Sequence, residues 1–169
     1  MRHIISVLLE NESGALSRVS GLFSARGYNI ESLTVAPTND PTLSRMTIVT
    51  VGDDRKIDQI EKHLNKLVDV VALQDITVSG HLEREIVLIK LVIEADQKDK
   101  LNQIVEAFQA SLSDVAENQF IVEMSGSSEK VDELIKSLSN ANIIEVVRSG
   151  VIGLASDERA LTVLSLIHI

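Results

Sequence analysis

One succession of hydrophobic periodicities runs along this chain twice, and it leaves few folds open. Residues 4–9 are a short β-branched run of strand type. Turn residues Asn11-Glu12-Ser13-Gly14 follow. Leu16, Val19, Leu22 and Phe23 then recur at helical spacing, closed by Gly27 at a C-cap position. Residues 29–36 predict a second strand, and Pro37-Thr38-Asn39-Asp40-Pro41 forces a loop. Residues 45–51 predict a third strand. Ile57, Ile60, Leu64 and Leu67 mark a second helix, and 70–78 a fourth strand. The order βαββαβ is the split ferredoxin-like unit.

The order starts again at residue 85. A strand over 85–93 leads to a helix marked by Leu101, Ile104, Val105 and Phe108. Weak and firm strand signals follow at 114–117 and 120–124. Val131, Leu134, Ile135 and Leu138 mark a last helix, and 143–147 a closing strand. The class is α+β, with two ferredoxin-like βαββαβ domains at 1–78 and 85–154. Residues 79–84 are expected as a linker and 155–169 as a tail of unassigned structure. A length of 169 residues suits two small domains. With aromatics at 2%, the cores must be built from Ile, Leu and Val.

The charge balance narrows the partners. A net charge of -9 argues against nucleic acid, because phosphate recognition needs clustered Lys and Arg. It argues equally against an anionic membrane surface. There are no cysteines, so disulfides, thiolate nucleophiles and Cys-ligated metals are excluded. No apolar run approaches the roughly 20 residues of a membrane span. The run 86–93 is short and broken by Lys90, and the N-terminal run ends at Glu10, too short for a signal-peptide core. A cytoplasmic location is expected.

The two halves differ where chemistry is most expected. The first has Gly14 at its strand-to-helix turn, whereas the second has Glu94-Ala95-Asp96-Gln97-Lys98 and no glycine. A helix N-terminus presents unpaired N–H groups and a positive dipole end, which suit a carboxylate. Gly14 permits close backbone approach there. Asn11 and Asn29 add amides without charge, a combination suited to a zwitterion. The plain alternative is that Ser13-Gly14 only caps a helix. The histidines His3, His63, His81 and His168 show no metal-type spacing. His81 with Glu83 and Glu85 reads better as a solvated linker than as a ligand set. Ser13-Gly14 is no nucleophile elbow, and Gly21 and Gly27 are no dinucleotide fingerprint. By fold analogy, small acylphosphatases share the element order, with Arg18, Arg26 and Asn29 available for their Arg and Asn roles. No phosphate-cradling loop supports that assignment.

Longer runs carry a more specific signal. Asn11-Glu12-Ser13-Gly14-Ala15-Leu16-Ser17-Arg18-Val19, then Gly21-Leu22-Phe23, then Arg26-Gly27-Tyr28-Asn29-Ile30-Glu31-Ser32-Leu33-Thr34-Val35 resemble the small, regulatory subunit of acetolactate synthase (acetohydroxyacid synthase). Asp40-Pro41-Thr42-Leu43-Ser44-Arg45-Met46-Thr47-Ile48 is similar to the same family, whose N-terminal domain is an ACT domain. The resemblance is strongest over 1–78 and continues loosely to Arg148-Ser149-Gly150-Val151-Ile152-Gly153. It implies a non-catalytic subunit that activates a large catalytic subunit and confers feedback inhibition by valine in branched-chain amino-acid biosynthesis. It further implies no cofactor in this chain, with thiamine diphosphate, Mg and FAD in the catalytic partner. Effector sites in the family lie between ACT domains of paired small subunits, so a homodimer is expected. Asn11, Gly14, Ala15, Leu16, Asn29, Ile30 and Ala36 match the effector region. A free-standing ACT sensor acting on another enzyme is the alternative.

Three further expectations concern surfaces. The second strand should lie at a sheet edge, and over 29–36 it has no Lys or Pro to guard it, so pairing with a second copy is expected. The sheet face without helices needs cover, from the large subunit or another small-subunit element. The loop at 37–44 is expected to become ordered on contact with a partner. Leu161 and the apolar residues after it, to Ile169, read as an extra strand or helix or as foreign sequence.

Overall fold

The computed structural model describes residues 1–162. It divides into two compact units. The first comprises Met1–Leu82 with the segment that returns at Val151, and the second comprises Glu83–Gly150.

In the first unit β1 (Arg2–Glu10), β2 (Ser32–Pro37), β3 (Leu43–Val51) and β4 (Val70–Asp75) form a sheet in the order β2-β3-β1-β4. All its pairings are antiparallel. Helices α1 (Ala15–Arg26) and α2 (Asp54–Asn65) lie on one face. Alternation in β1 sends Ile5, Val7 and Leu9 into a core with Val19, Phe23, Met46, Ile48, Ile57, Ile60 and Leu64. Asp53 starts α2, its side chain accepting from Lys56 N at 2.8 Å. The same alternation puts Ile4 and Val49 on the other face.

That other face is covered from within the chain. A strand not expected from the sequence, β9 (Ile152–Ala155), pairs with β5 (His81–Val92). Val151 closes a small cluster with Ile4, Val49 and Ile76, and Ala155 packs against it. Val151 N donates to Ser32 Oγ at 3.1 Å, and Arg45 donates to Gly153 O and Ser6 Oγ at 3.0 Å each. Part of the expected cover is thus an element of this same chain.

Several boundaries shift for physical reasons. β2 starts at Ser32 rather than 29, because Gly27 N and Tyr28 N are tied back to Ser24 O and Phe23 O at the end of α1. It ends on Pro37, so the edge strand carries one guarding proline after all. β4 stops at Asp75, whose side chain accepts from Thr77 N at 3.0 Å and from Thr77 Oγ1, curling 76–78 into a 3-10 turn. Residues 81–84, expected as linker, belong to β5. Their polar alternation is that of a strand, with Glu85 already buried. Residues 151–154, expected in the second domain, group with the first unit.

In the second unit β6 (Ser111–Ala116), β7 (Gln119–Gly126) and β8 (Asn142–Arg148) join β5 in the order β6-β7-β5-β8. Helices α3 (Lys98–Ala107) and α4 (Ser128–Ser137) accompany a core of Val87, Ile89, Leu91, Leu101, Val122, Val131 and Leu134. Both halves are therefore βαββαβ units, as their periodicity predicts. Of the apolar tail, 163–169 lies outside the described residues.

Candidate effector site

The turn between β1 and α1 is built from backbone outward. At the end of β1, Glu10 N donates to Asp69 O at 2.9 Å and Asn11 N to Thr42 O at 2.7 Å. The Asn11 side chain donates to Pro41 O at 3.0 Å, so one asparagine ties the turn to the β2–β3 loop. That loop carries bonds of its own. Asp40 accepts from Thr42 N at 2.9 Å and Thr42 Oγ1 at 2.7 Å, and Thr38 N donates to Leu43 O at 2.9 Å. The Thr42 hydroxyl, and then its N–H, hold the Asp40 carboxyl below the usual carboxylate range.

Gly14 caps α1 in the left-handed region, at φ 88°, with no side-chain cap. Ser13 therefore does not act as the cap. Gly14 O accepts from Arg18 N at 3.0 Å, and Ala15 N donates to Glu12 O at 3.2 Å. Among the described residues no backbone acceptor takes the N–H of Leu16 or Ser17. These are the groups a carboxylate would use.

A pair that the sequence did not reveal stands behind the turn. Arg18 donates through Nε to Asp69 Oδ2 at 2.5 Å and through a terminal nitrogen to Asp69 Oδ1 at 3.0 Å. The same nitrogen lies 3.3 Å from Ser13 O. The hydrogen bond from Arg18 holds the Asp69 carboxyl below its ordinary range, and the same bond raises the Arg18 guanidinium. A Cβ on Gly14 would stand 2.9 Å from a terminal nitrogen of Arg18. Arg18 is visible in the sequence as the i+4 neighbour of Gly14, but Asp69, 51 residues away, is not.

The expected site residues separate into two groups. Asn11, Gly14, Ala15 and Leu16 sit at the C-terminal end of β1. The Ala15 side chain is buried, while Leu16 is 42% exposed. Ala36 is exposed on β2 opposite Arg45, which pairs with Leu8, so it belongs to the same end of the sheet. Asn29 and Ile30 lie at the other end. Asn29 O accepts from Thr50 Oγ1 at 2.7 Å, and Thr50 pairs with His3 at the start of β1. From His3 to Glu10 the strand rises about 23 Å. One copy of the chain does not bring Asn29 to Gly14.

Other candidate sites dissolve. Arg18 and Arg26 stand at opposite ends of α1, and Asn29 is remote from Arg18, so no phosphate-binding trio forms. Glu85 is buried and accepts from Arg148 Nε at 2.8 Å, instead of facing solvent beside His81. Among the described residues no group of three or more His, Cys, Asp or Glu is placed to hold a metal ion. No helix among them is long and apolar enough to cross a membrane.

Comparison with known proteins agrees with this architecture. Residues 5–72 match a family described as the AHAS small subunit-like ACT domain, and 84–157 match the small subunit of acetolactate synthase. The acetolactate synthase isozyme 3 small subunit of Salmonella typhimurium is 53% identical over 160 residues, covering 94% of this chain and 98% of that protein. A probable acetolactate synthase small subunit of Archaeoglobus fulgidus is 42% identical over 150 residues, covering 89% and 94%. The crystal structure of the acetolactate synthase small subunit from Thermotoga maritima superposes with a TM-score of 0.86 at 35% identity, covering 94% of this chain and 99% of that one. With this sequence similarity spread over both units and the ACT fold in the first, the chain belongs to the acetolactate synthase small-subunit family.

Proposed function

We propose that the chain is the regulatory subunit of an acetolactate synthase in branched-chain amino-acid biosynthesis. In this reading it binds and activates a large catalytic subunit, which carries the thiamine diphosphate, Mg and FAD, and it confers inhibition by valine. The effector site lies between two copies. The observation that carries this is the separation of the two residue groups along β1. β2 is an edge strand of the sheet. Antiparallel pairing of β2 with its own copy about a two-fold axis brings Asn29 of the partner subunit toward the Ala36 end of this one. That is the end that holds Gly14, so the split set becomes one site only in the dimer. The free N–H groups at the start of α1 take the valine carboxylate, and the amides of Asn11 and Asn29 of the partner subunit serve the rest of the zwitterion.

The test is inhibition of the reconstituted holoenzyme by valine with Gly14→Asp and Asn29→His. The first places a carboxylate where the ligand's own carboxylate binds. The second removes an amide. Both variants are expected to fold, to keep activating the large subunit, and to lose inhibition. A folded variant as sensitive to valine as the parent would overturn this placement. Loss of activation together with sensitivity would overturn the division between sensing turn and activating surface.

A further inference from the structure

The two units close the same corner in different ways. In the first, Arg18 is the fourth residue of α1 and Asp69 is the residue before β4, and their ion pair ties the β1–α1 and α2–β4 turns together. In the second, the fourth residue of α3 is Leu101 and the residue before β8 is Ala141. The registers correspond, because Val70 pairs with Leu9 near the end of β1 and Asn142 with Val92 at the end of β5. A long cation and its acid are thus replaced by two shorter apolar side chains. The space between these turns is a pocket of about 300 Å³, part of it open to solvent. Its apolar lining is Leu101 and Ala141 with Ile93, Ile104 and Leu138.

The polar residues of the lining supply donors and no negative charge. Gln97 Oε1 accepts from Glu94 N at 2.9 Å, which fixes the amide and leaves its NH2 group to donate. Lys100 is exposed, and among the described residues it has no ion-pair partner, Asp96 four residues earlier included. Asn140 adds a second amide. The Ser137 hydroxyl is spent on its own helix, donating to Glu133 O at 2.9 Å. Among the described residues no Asp or Glu lines the pocket. An ammonium group would find no counter-charge there, whereas a carboxylate meets a cation and amide N–H groups. The Ile, Leu and Ala lining suits a short alkyl chain, which would release water from it.

We propose that this pocket binds a free short-chain aliphatic monocarboxylate, its alkyl chain lying against Leu101, Ile104 and Ala141 and its carboxylate accepting from Lys100 and the Gln97 amide. The same chemistry disfavours a zwitterionic amino acid. The ligand therefore differs in kind from the valine proposed for the first unit, and the two sites do not depend on each other.

The test uses the full chain with 13C-labelled isoleucine methyl groups, titrated with pentanoate at constant ionic strength. The Ile93 and Ile104 resonances should move saturably. Pentan-1-amine and 2-aminopentanoate carry the same tail with a different head, and each should move these two resonances only at concentrations about fivefold higher or more. In Lys100→Gln the affinity for pentanoate should fall about threefold, as expected for loss of one exposed ion pair. In Ala141→Leu, which fills the gap, saturable movement should disappear; if that variant does not fold, the Lys100→Gln and head-group comparisons still decide. No saturable movement with pentanoate, equal affinity for either amine-bearing probe, or unchanged affinity in Lys100→Gln would overturn the proposal. So would pentanoate binding retained in a folded Ala141→Leu chain.

Discussion

Gly14 answers two demands at one position. Its φ of 88° is costly for a residue with a Cβ, and the space a Cβ would take already holds the Arg18 guanidinium. Gly14→Ala should therefore lower stability by about 1–2 kcal/mol in urea unfolding, with Gly14→Asn costing less because Asn tolerates the left-handed region. Equal losses for both would show that contact with Arg18, and not the backbone, decides. The neighbouring pair predicts a pH effect. Asp69 has a depressed pKa in the folded chain, so its contribution is present above the unfolded value of about 3.9 and is lost as pH falls through the lower folded value. Asp69→Asn should be less stable than the parent at neutral pH, and the gap should begin to narrow as pH falls below about 4. Paired denaturant titrations at pH 7 and pH 3 measure it. A gap as large at pH 3 as at pH 7 would mean that the charge on Asp69 is not what stabilises the turn. Of this arrangement the sequence exposed Gly14 and Asn11, because turn chemistry is local. Asp69 stayed hidden because a partner 51 residues away leaves no periodic trace.

At the scale of elements, the helices and central strands were legible because each has a period long enough to read. What escaped was short or disguised. β9 has four residues, two of them exposed, and only pairing with β5 makes it a strand. The start of β5 was disguised by alternating polar side chains that mimic a solvated linker, though Glu85 among them is buried against Arg148. Gly153 shows why β9 fits where it does. A Cβ there would come within 2.5 Å of Ile76 Cδ1 and 3.5 Å of Leu82 O. Gly153→Val should push β9 away from the sheet and cost about 1–3 kcal/mol, the usual penalty for overpacking. Hydrogen exchange at Val151 and Ser156, whose N–H groups bond to Ser32 Oγ and Gly80 O, should speed up in that variant. Unchanged exchange at both amides would show that β9 is not held by this close fit.

For the whole molecule, the doubled βαββαβ order was readable because repetition is itself evidence, and the long motifs of the first half pointed to one family. The dimeric site was not readable from one chain's periodicity. The proposal of one rests on the register, which places Asn29 and Gly14 at opposite ends of β1. A site made by two copies links ligand binding to association. Valine should therefore raise the thermal midpoint more at low protein concentration than at high, where the dimer is already complete. Differential scanning measurements over a hundredfold range of chain concentration test this. A shift independent of concentration would place the whole site within one chain.

The return of the chain at Val151 also sets an order in time. The bonds from Val151 and to Gly153 close loops of 119 and 108 residues, so the second unit must be translated before they can form. At about 5–20 residues per second, the nascent first unit waits on the ribosome for several seconds or more with Ile4, Val49 and Ile76 lacking their last partner. The helix side of its sheet can consolidate at once. The opposite side is an unfinished apolar surface for that interval, and a release of the chain before Val151 would leave it so permanently.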